Sequence, residues 1–536
     1  MITRSSYVVS RLVVALFPMF AFACSNVEKA DPQPQSARVD HSFQIDTPQI
    51  LRGTIASEAV LLGWDSPVAE KYQPVVVRGY GLVVGLHGTG SRDIPPQIRA
   101  YMLGLASKYE VGSVKYGDRN SRTPDELIDS PDTAVVIVEA VVPQGAVKGT
   151  LFDVRVSADP RTGTASLEGG SLWTTELRPG ALTAGGAQAA ALAEAHGPLF
   201  INPFAEPNAV GKDSINRLSG RIMNGGVILK DMPLKLRVGS PGHTRVAMLI
   251  TAINTRFPKE PGMRDPTARG ESDESIQITV PPSYRDDVET FVQRLRHTSI
   301  QQANPEAIAT SIKRILLASP VVADAACWRW QALGPRCLPV IKELYDYSEE
   351  APRMAALEAG AKLQHPLVTP HLITMASEGS LKARLKAIAL LGKLNNDPQI
   401  DVELRKLLND DDIEIRLAAY ESLVERRDVF VHREIVDNKF IIDVVESGKP
   451  LIYITQVGQP RIVIFGTSLN IDRPVTLTTW SDRLMMKGDA GDDEIEVYYR
   501  AENDPKGSIN RITPSVEALA QFLGHRTTVD EPDPGL

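Results

Sequence analysis

The sequence predicts an α+β multidomain protein: an α+β domain over residues 50–300, an α-solenoid of helical repeats over 301–428, and a small β-rich domain over 429–525. Three observations carry this. The chain has 536 residues, more than one hydrophobic core accommodates. At 43% hydrophobic and 23% charged residues it has the composition of folded globular material. Its apolar pattern also changes period twice, near Asn304 and near Val429.

The N-terminus reads as an export signal. Arg4 and Arg11 precede the apolar run Leu12 to Ala23, which has the length of a signal-peptide core and is short for a bilayer span. Residues 1–24 are therefore predicted to be removed or processed. Ala21-Phe22-Ala23-Cys24 resembles a lipobox, with Phe22 off its pattern, so lipidation of Cys24 and ordinary cleavage nearby both stand as readings. Residues 25–49 are polar and proline-bearing, as expected of a flexible linker.

The first domain alternates short β-branched runs with turn signals. Ala134 to Val142, Leu151 to Ser157, Leu234 to Val238 and Ser275 to Val280 are expected strands, and Thr244 to Arg256 and Arg285 to Leu295 are expected helices. Its most unusual stretch, Arg78 to Gly90, holds five glycines in thirteen residues. Gly81, Gly85, Gly88 and Gly90 miss the G-x-G-x-x-G spacing, Pro95 and Pro96 separate them from the next helix, and no Gly-Lys-Ser/Thr follows. A nucleotide cradle is therefore not expected. Glycines there serve tight turns or close backbone approach.

Beyond Asn304 the helices repeat. Arg353-x-x-Ala356-Leu357, Arg384-x-x-Ala387-Ile388 and Arg416-x-x-Ala419-Tyr420 recur at intervals of 31 and 32 residues, with further helices over Pro370 to Ser377 and Asp401 to Leu408. This period is that of an α-solenoid, and the residues resemble HEAT repeats. The arginines are expected to bond turn carbonyls or acids. After Val429, five short strands and a closing helix over Pro514 to Leu523 are expected, and residues 526–536 are read as a disordered tail.

A search for chemistry returns little. The nine histidines form no H-E-x-x-H, His365 and His371 are not at common zinc spacing, and no Gly-x-Ser-x-Gly exists. His87 reads as a backbone-bonding loop residue, and Asp489 to Glu494 as a hairpin turn and not a calcium loop. Cys327 and Cys337 are expected to close a disulfide, two buried thiols being the other reading. No catalytic, metal or cofactor residue is assigned, and an enzyme is not expected. The net charge of −8 argues against nucleic acid as a partner.

Collinear blocks carry a family resemblance. Val77 to Gly90 (VRGYGLVVGLHGTG), Thr133 to Pro143, Gly149 to Ser157, Leu167 to Leu177, Ala193 to Leu199, Gly220 to Val227, Thr244 to Phe257 and Val280 to Leu295 resemble, in order, the conserved blocks of flagellar P-ring proteins. The likeness covers about residues 50–300. Gln144 to Ala146 and His196 depart from the family's pattern, and the family's own C-terminal half is replaced by the helical and β-rich segments.

The resemblance implies a structural component of the flagellar basal body in the periplasm, a homo-oligomeric ring around the rod in contact with other basal-body ring proteins. It implies a role at subunit interfaces for Gly79, Tyr80, Gly81, Gly85, Gly88 and Gly90. A lipid anchor on Cys24 would add the outer membrane, or peptidoglycan, as a further contact. The alternative is a membrane-anchored envelope lipoprotein that uses the same domains as a protein-binding scaffold outside the flagellum.

Overall fold

The alternation of the first domain closes on itself as a barrel. The computed structural model describes residues 47–526 apart from 64–73, 109–122, 183, 185–188, 202–215, 302–303, 396, 437–439, 456–457, 468, 480–481 and 501–506. The first domain runs α1 (Ile55–Glu58), β1 (Ala59–Leu62), β2 (Val75–Val84), α2 (Pro96–Lys108), α3 (Pro124–Ile128), β3 (Ala134–Val142), β4 (Leu151–Ala158), β5 (Ser171–Pro179), β6 (Ala193–Pro198), β7 (Ser219–Ile228), β8 (Leu234–Val238), α4 (His243–Arg256), β9 (Ala268–Gly270), β10 (Ser275–Ile278) and α5 (Val288–His297). Strands β2 to β7 form a closed barrel in the order β2-β3-β4-β7-β6-β5, antiparallel throughout. Closure removes the exposed sheet edges that an open sheet would leave.

Period-two alternation decides what fills it. Val77, Val83, Val136, Val138, Val154 and Val156 point inward to one core. The opposite face of β2 and β3 presents Tyr80, Leu82 and Val135 outward, where Ile98 and Met102 of α2 and Ile128 of α3 cover them. Helix α3 starts at a capping box in which Thr123 and Glu126 satisfy each other's backbone N–H. A second sheet, β1-β8-β10-β9, packs under α4 and α5 through Leu236, Ile276, Leu249 and Phe291.

The helical segment comprises α6 (Pro305–Ala318), α7 (Ala323–Leu333), α8 (Leu338–Ile341), α9 (Glu350–Lys362), α10 (Val368–Glu378), α11 (Leu381–Gly392), α12 (Pro398–Leu407) and α13 (Ile413–Glu425). Arginines join it to the first domain. Arg256 donates to the Ala332 (2.7 Å) and Gln331 (3.2 Å) carbonyls at the C-terminal end of α7, where free carbonyls and the helix dipole both favour a cation. Arg329 is buried and donates to the Ile50 carbonyl (2.7 Å) and Ser299 (3.2 Å), and burial lowers its pKa to about 10.

The repeating arginines keep a common geometry in two of three cases. Arg384 donates from Nε to the Ala376 carbonyl (2.8 Å), and Arg416 from Nε to that of Leu408 (3.1 Å), in both cases eight residues back. The far nitrogen of each reaches the following turn, Asp410 for Arg384 and the Lys449 carbonyl for Arg416. Arg353 breaks the series, since its Nε is buried without a hydrogen-bond partner.

Lys449 lies in the connection 446–450 between two of the C-terminal strands, so a loop of a sheet stands where a further helical turn would. These strands are β11 (Val431–Val436), β12 (Phe440–Val445), β13 (Leu451–Thr455), β14 (Arg461–Phe465), β15 (Val475–Thr479), β16 (Leu484–Gly488), β17 (Ile495–Tyr499) and β18 (Ser508–Ile512), closed by α14 (Val516–Arg526). They make two four-stranded sheets, β11-β12-β14-β13 and β15-β16-β17-β18. Strand β12 is buried on both faces. Val445, with Val463 and Phe465 of β14, joins the core of the helices, while Ile442 and Val444 pack toward Val516 and Ala520 of α14. One continuous core thus crosses the predicted boundary at 428/429.

Candidate functional site

The glycine segment forms β2 and the turn that follows it, and its five glycines serve two distinct geometries. Gly79 and Gly81 lie on the inward face of β2, between Val77 and Val83. A methyl group on Gly79 would overlap the Glu176 carbonyl oxygen of β5, and one on Gly81 would lie 2.5 Å from Thr175 Oγ1. The register between β2 and β5 shifts between Arg78 and Val83, which brings β5 against these two positions. Gly90 is likewise pressed against the Thr133 carbonyl. Gly85 and Gly88 instead have φ of +80° and +89° and meet no close neighbour, so they are needed for turn conformation. His87 between them also has a positive φ, 46°.

Tyr80 points out of the barrel, and its hydroxyl accepts from Arg161 (3.0 Å). Arg161 is held by Asp159 through Nε (2.9 Å) and NH2 (2.7 Å), and that hydrogen bonding keeps the Asp159 carboxyl below the usual carboxylate range. Beside Gly79, Glu176 is almost fully buried. Burial alone would raise its pKa, but Lys108 and Arg178 pair with it and hold it low. These contacts lie within one chain and fasten the barrel wall.

The collinear blocks meet in space. Those beginning at Val77, Thr133, Gly149, Leu167, Ala193 and Gly220 supply the six strands of the barrel in order, and those beginning at Thr244 and Val280 supply α4 and α5. In the Gly220 to Val227 block, Asn224 takes a positive φ of 50° and donates its N–H to Asp153 (2.9 Å), while Gly226 leaves room for the Phe152 ring. The outer wall carries three exposed aliphatic residues, Val76, Val141 and Leu151, with Val76 and Val141 directly opposite each other.

The expected disulfide is corrected: Cys327 and Cys337 are both free and buried. Each sulfur is occupied elsewhere. Gln331 donates to Cys327 Sγ (3.2 Å), and Cys337 donates to the Trp330 carbonyl (3.3 Å). Burial pushes the Cys337 thiol up to about 12 and the Cys327 thiol well above its ordinary value, so neither is a nucleophile at neutral pH. A thiol reagent should therefore label neither in the folded protein and both in 6 M guanidinium, and reductant should leave the melting temperature unchanged. A melting point that falls in dithiothreitol would restore the disulfide. Cys24 lies outside the described residues.

The histidines gather no metal site among the described residues. His365 Nδ1 bonds the buried Tyr345 hydroxyl (2.9 Å), and His371 packs against the same ring while pairing with Asp346 (2.7 Å). Residues Asp489 to Glu494 form the hairpin turn between β16 and β17.

A buried network at the helix–sheet junction had not been expected. Asp443 in β12 is fully buried and accepts hydrogen bonds from Arg433 Nε (2.8 Å) and NH2 (2.7 Å) and from the Tyr420 hydroxyl of α13. The signal was present in Phe440 to Val445, FIIDVV, a lone carboxylate in an otherwise apolar strand. Such a residue demands a buried cation or hydroxyl partner.

Residues 69–314 match the model of the family described as flagellar P-ring protein. The match thus ends within α6. Among relatives, a flagellar P-ring protein of Geobacter metallireducens is 27% identical over 311 residues, covering 56% of this chain and 76% of that protein. Those of Geobacter sulfurreducens and Syntrophotalea carbinolica are each 30% identical over about 240 residues, covering 43% of this chain and 58% of the relative.

Proposed function

We propose, on the premise that the N-terminal half of this chain belongs to the flagellar P-ring protein family, that the protein is a structural component of the flagellar basal body. It assembles with copies of itself into a ring around the rod, in the periplasm, beside other basal-body ring proteins. The observation that carries this reading is the coincidence of the six collinear blocks with the six strands of one closed barrel. A barrel without free edges is a stiff block, suited to bearing load between subunits. No reaction is assigned to it.

The chain spans 58% of the length of two of the relatives, and residues beyond 314 lie outside the family match. The helices over 301–428, read as HEAT-like repeats, and the strands over 429–525 are assigned to a partner that the ring must hold. Cys24 is assigned as a lipid attachment point that tethers the assembly to the outer membrane.

Electron microscopy of basal bodies isolated from the native cell tests the ring. The expected result is immunogold label on a ring that encircles the rod, together with loss of motility when the gene is deleted. Absence from basal bodies, with a strictly monomeric purified chain, would reject the reading.

A further inference from the structure

The residues beyond the family match are fastened to the first domain at both ends. At the near end, Arg256 and Arg329 bond the backbone carbonyls described above, Arg294 donates to the Gln331 side chain (3.4 Å), and Ile50 joins the core of the helices. That one core runs on through the helices to Val463 and Phe465 of β14. The far end then returns to the barrel. Arg221 of β7 donates from NH2 to the carbonyl of Gly458, in the turn that leads into β14.

Both sides of this contact are held from beneath. Arg221 stands between Gly220 and Ile222, and Ile222 is part of the barrel core. Its Nε lies 3.9 Å from Asp153 of β4, and Asp153 in turn accepts the Asn224 N–H (2.9 Å). The β4–β7 pair thus aims the guanidinium, and its other edge is left to meet the turn. Gly458 has a φ of +66°, which glycine adopts without strain, and Val463 five residues on ties the turn to the helical core. Domains of one chain move against each other by default. A module fixed at one end swings about that end; fixed at both, it holds its angle.

We propose that Arg221 is a clasp. By holding the Gly458 carbonyl it closes a circuit that runs from the barrel through the second sheet, the helices and the C-terminal strands back to the barrel. The angle between the barrel and the module is thereby set, and whatever the module binds is held at a fixed place relative to the barrel. The inference goes beyond the ring reading and does not depend on copies assembling.

The test uses the full chain with Cys24→Ser, Val141→Cys on the barrel and Ile454→Cys on β13, both at exposed positions. Spin labels go on these two thiols, since Cys327 and Cys337 are buried. Double electron–electron resonance, with the labelled chain diluted into unlabelled chain so that only pairs within one molecule are read, should give one narrow distance. Arg221→Ala should raise the population at other distances about tenfold, the preference that a hydrogen bond to a charged group supplies, with an unchanged circular dichroism spectrum. Arg221→Lys, which keeps the charge and a donor, should recover most of the narrow peak. A broad distribution in the parent chain, or a narrow one that Arg221→Ala leaves as it was, overturns the clasp. Either result leaves the ring reading to its own test by microscopy.

Discussion

Asp443→Ala is expected to destabilise the protein by about 3 kcal/mol, at the lower end of the range for breaking a buried ion pair. Asp443 is fully buried and carries three hydrogen bonds, two from Arg433 and one from Tyr420. Burial holds the Tyr420 phenol well above its ordinary pKa, so it remains a donor at neutral pH. Without the carboxylate, Tyr420 loses its acceptor and Arg433 its charge partner. The lower end applies because the Arg433 side chain is 36% exposed and water can take over part of its solvation.

The loss should be local as well as large. Asp443 ties β11 and β12 to α13, so hydrogen exchange should accelerate first in these elements and last in the barrel. Tyr420→Phe should cost less by itself, and the double variant should be milder than the sum, because both remove the same bond. Chemical denaturation followed by tryptophan fluorescence measures all three chains. A loss below about 1 kcal/mol for Asp443→Ala would place the network among exposed pairs of little consequence.

Gly79→Ala is expected to cost about 3 kcal/mol, whereas Gly88→Ala costs about 1. The two glycines stand nine residues apart in one motif but answer to different physics. At Gly79 the added methyl meets a backbone carbonyl across the barrel, which yields only if β5 moves. At Gly88 it meets open space, and the cost is the left-handed backbone alone. His87 already sustains such a backbone in the same turn, which indicates how moderate that cost is. Thermal melting of the two variants side by side measures the difference. Equal losses would mean that β5 relaxes away from β2 and that close packing is not what the glycine provides.

Much of the fold was legible along the chain because it depends on local signals. Strands Ala134–Val142 and Leu234–Val238 fell where β-branched runs predicted them, and helices α4 and α12 within a few residues of where apolar periodicity did. The spacing of the glycines argued against a phosphate cradle and for turns or close backbone approach. The recurring arginines announced a repeated contact, and two of the three make it. Cys327 and Cys337 were misread because spacing carries no direction: ten positions of helical chain turned both sulfurs into one core without turning them toward each other.

The sequence by itself determined the kinds of element, their order and the inward or outward face of each strand residue, since alternation and helical period are properties of the backbone. Tertiary structure alone decided that the six strands close, that β5 presses on Gly79 and Gly81, and that the β12–β13 loop, through the Lys449 carbonyl, meets Arg416 at the end of the helical segment. Those outcomes depend on which distant segments approach each other. Asp443 shows the limit most plainly: its burial was implied by its apolar neighbours, but its partners, Arg433 ten residues back and Tyr420 on a helix, were chosen only by the fold.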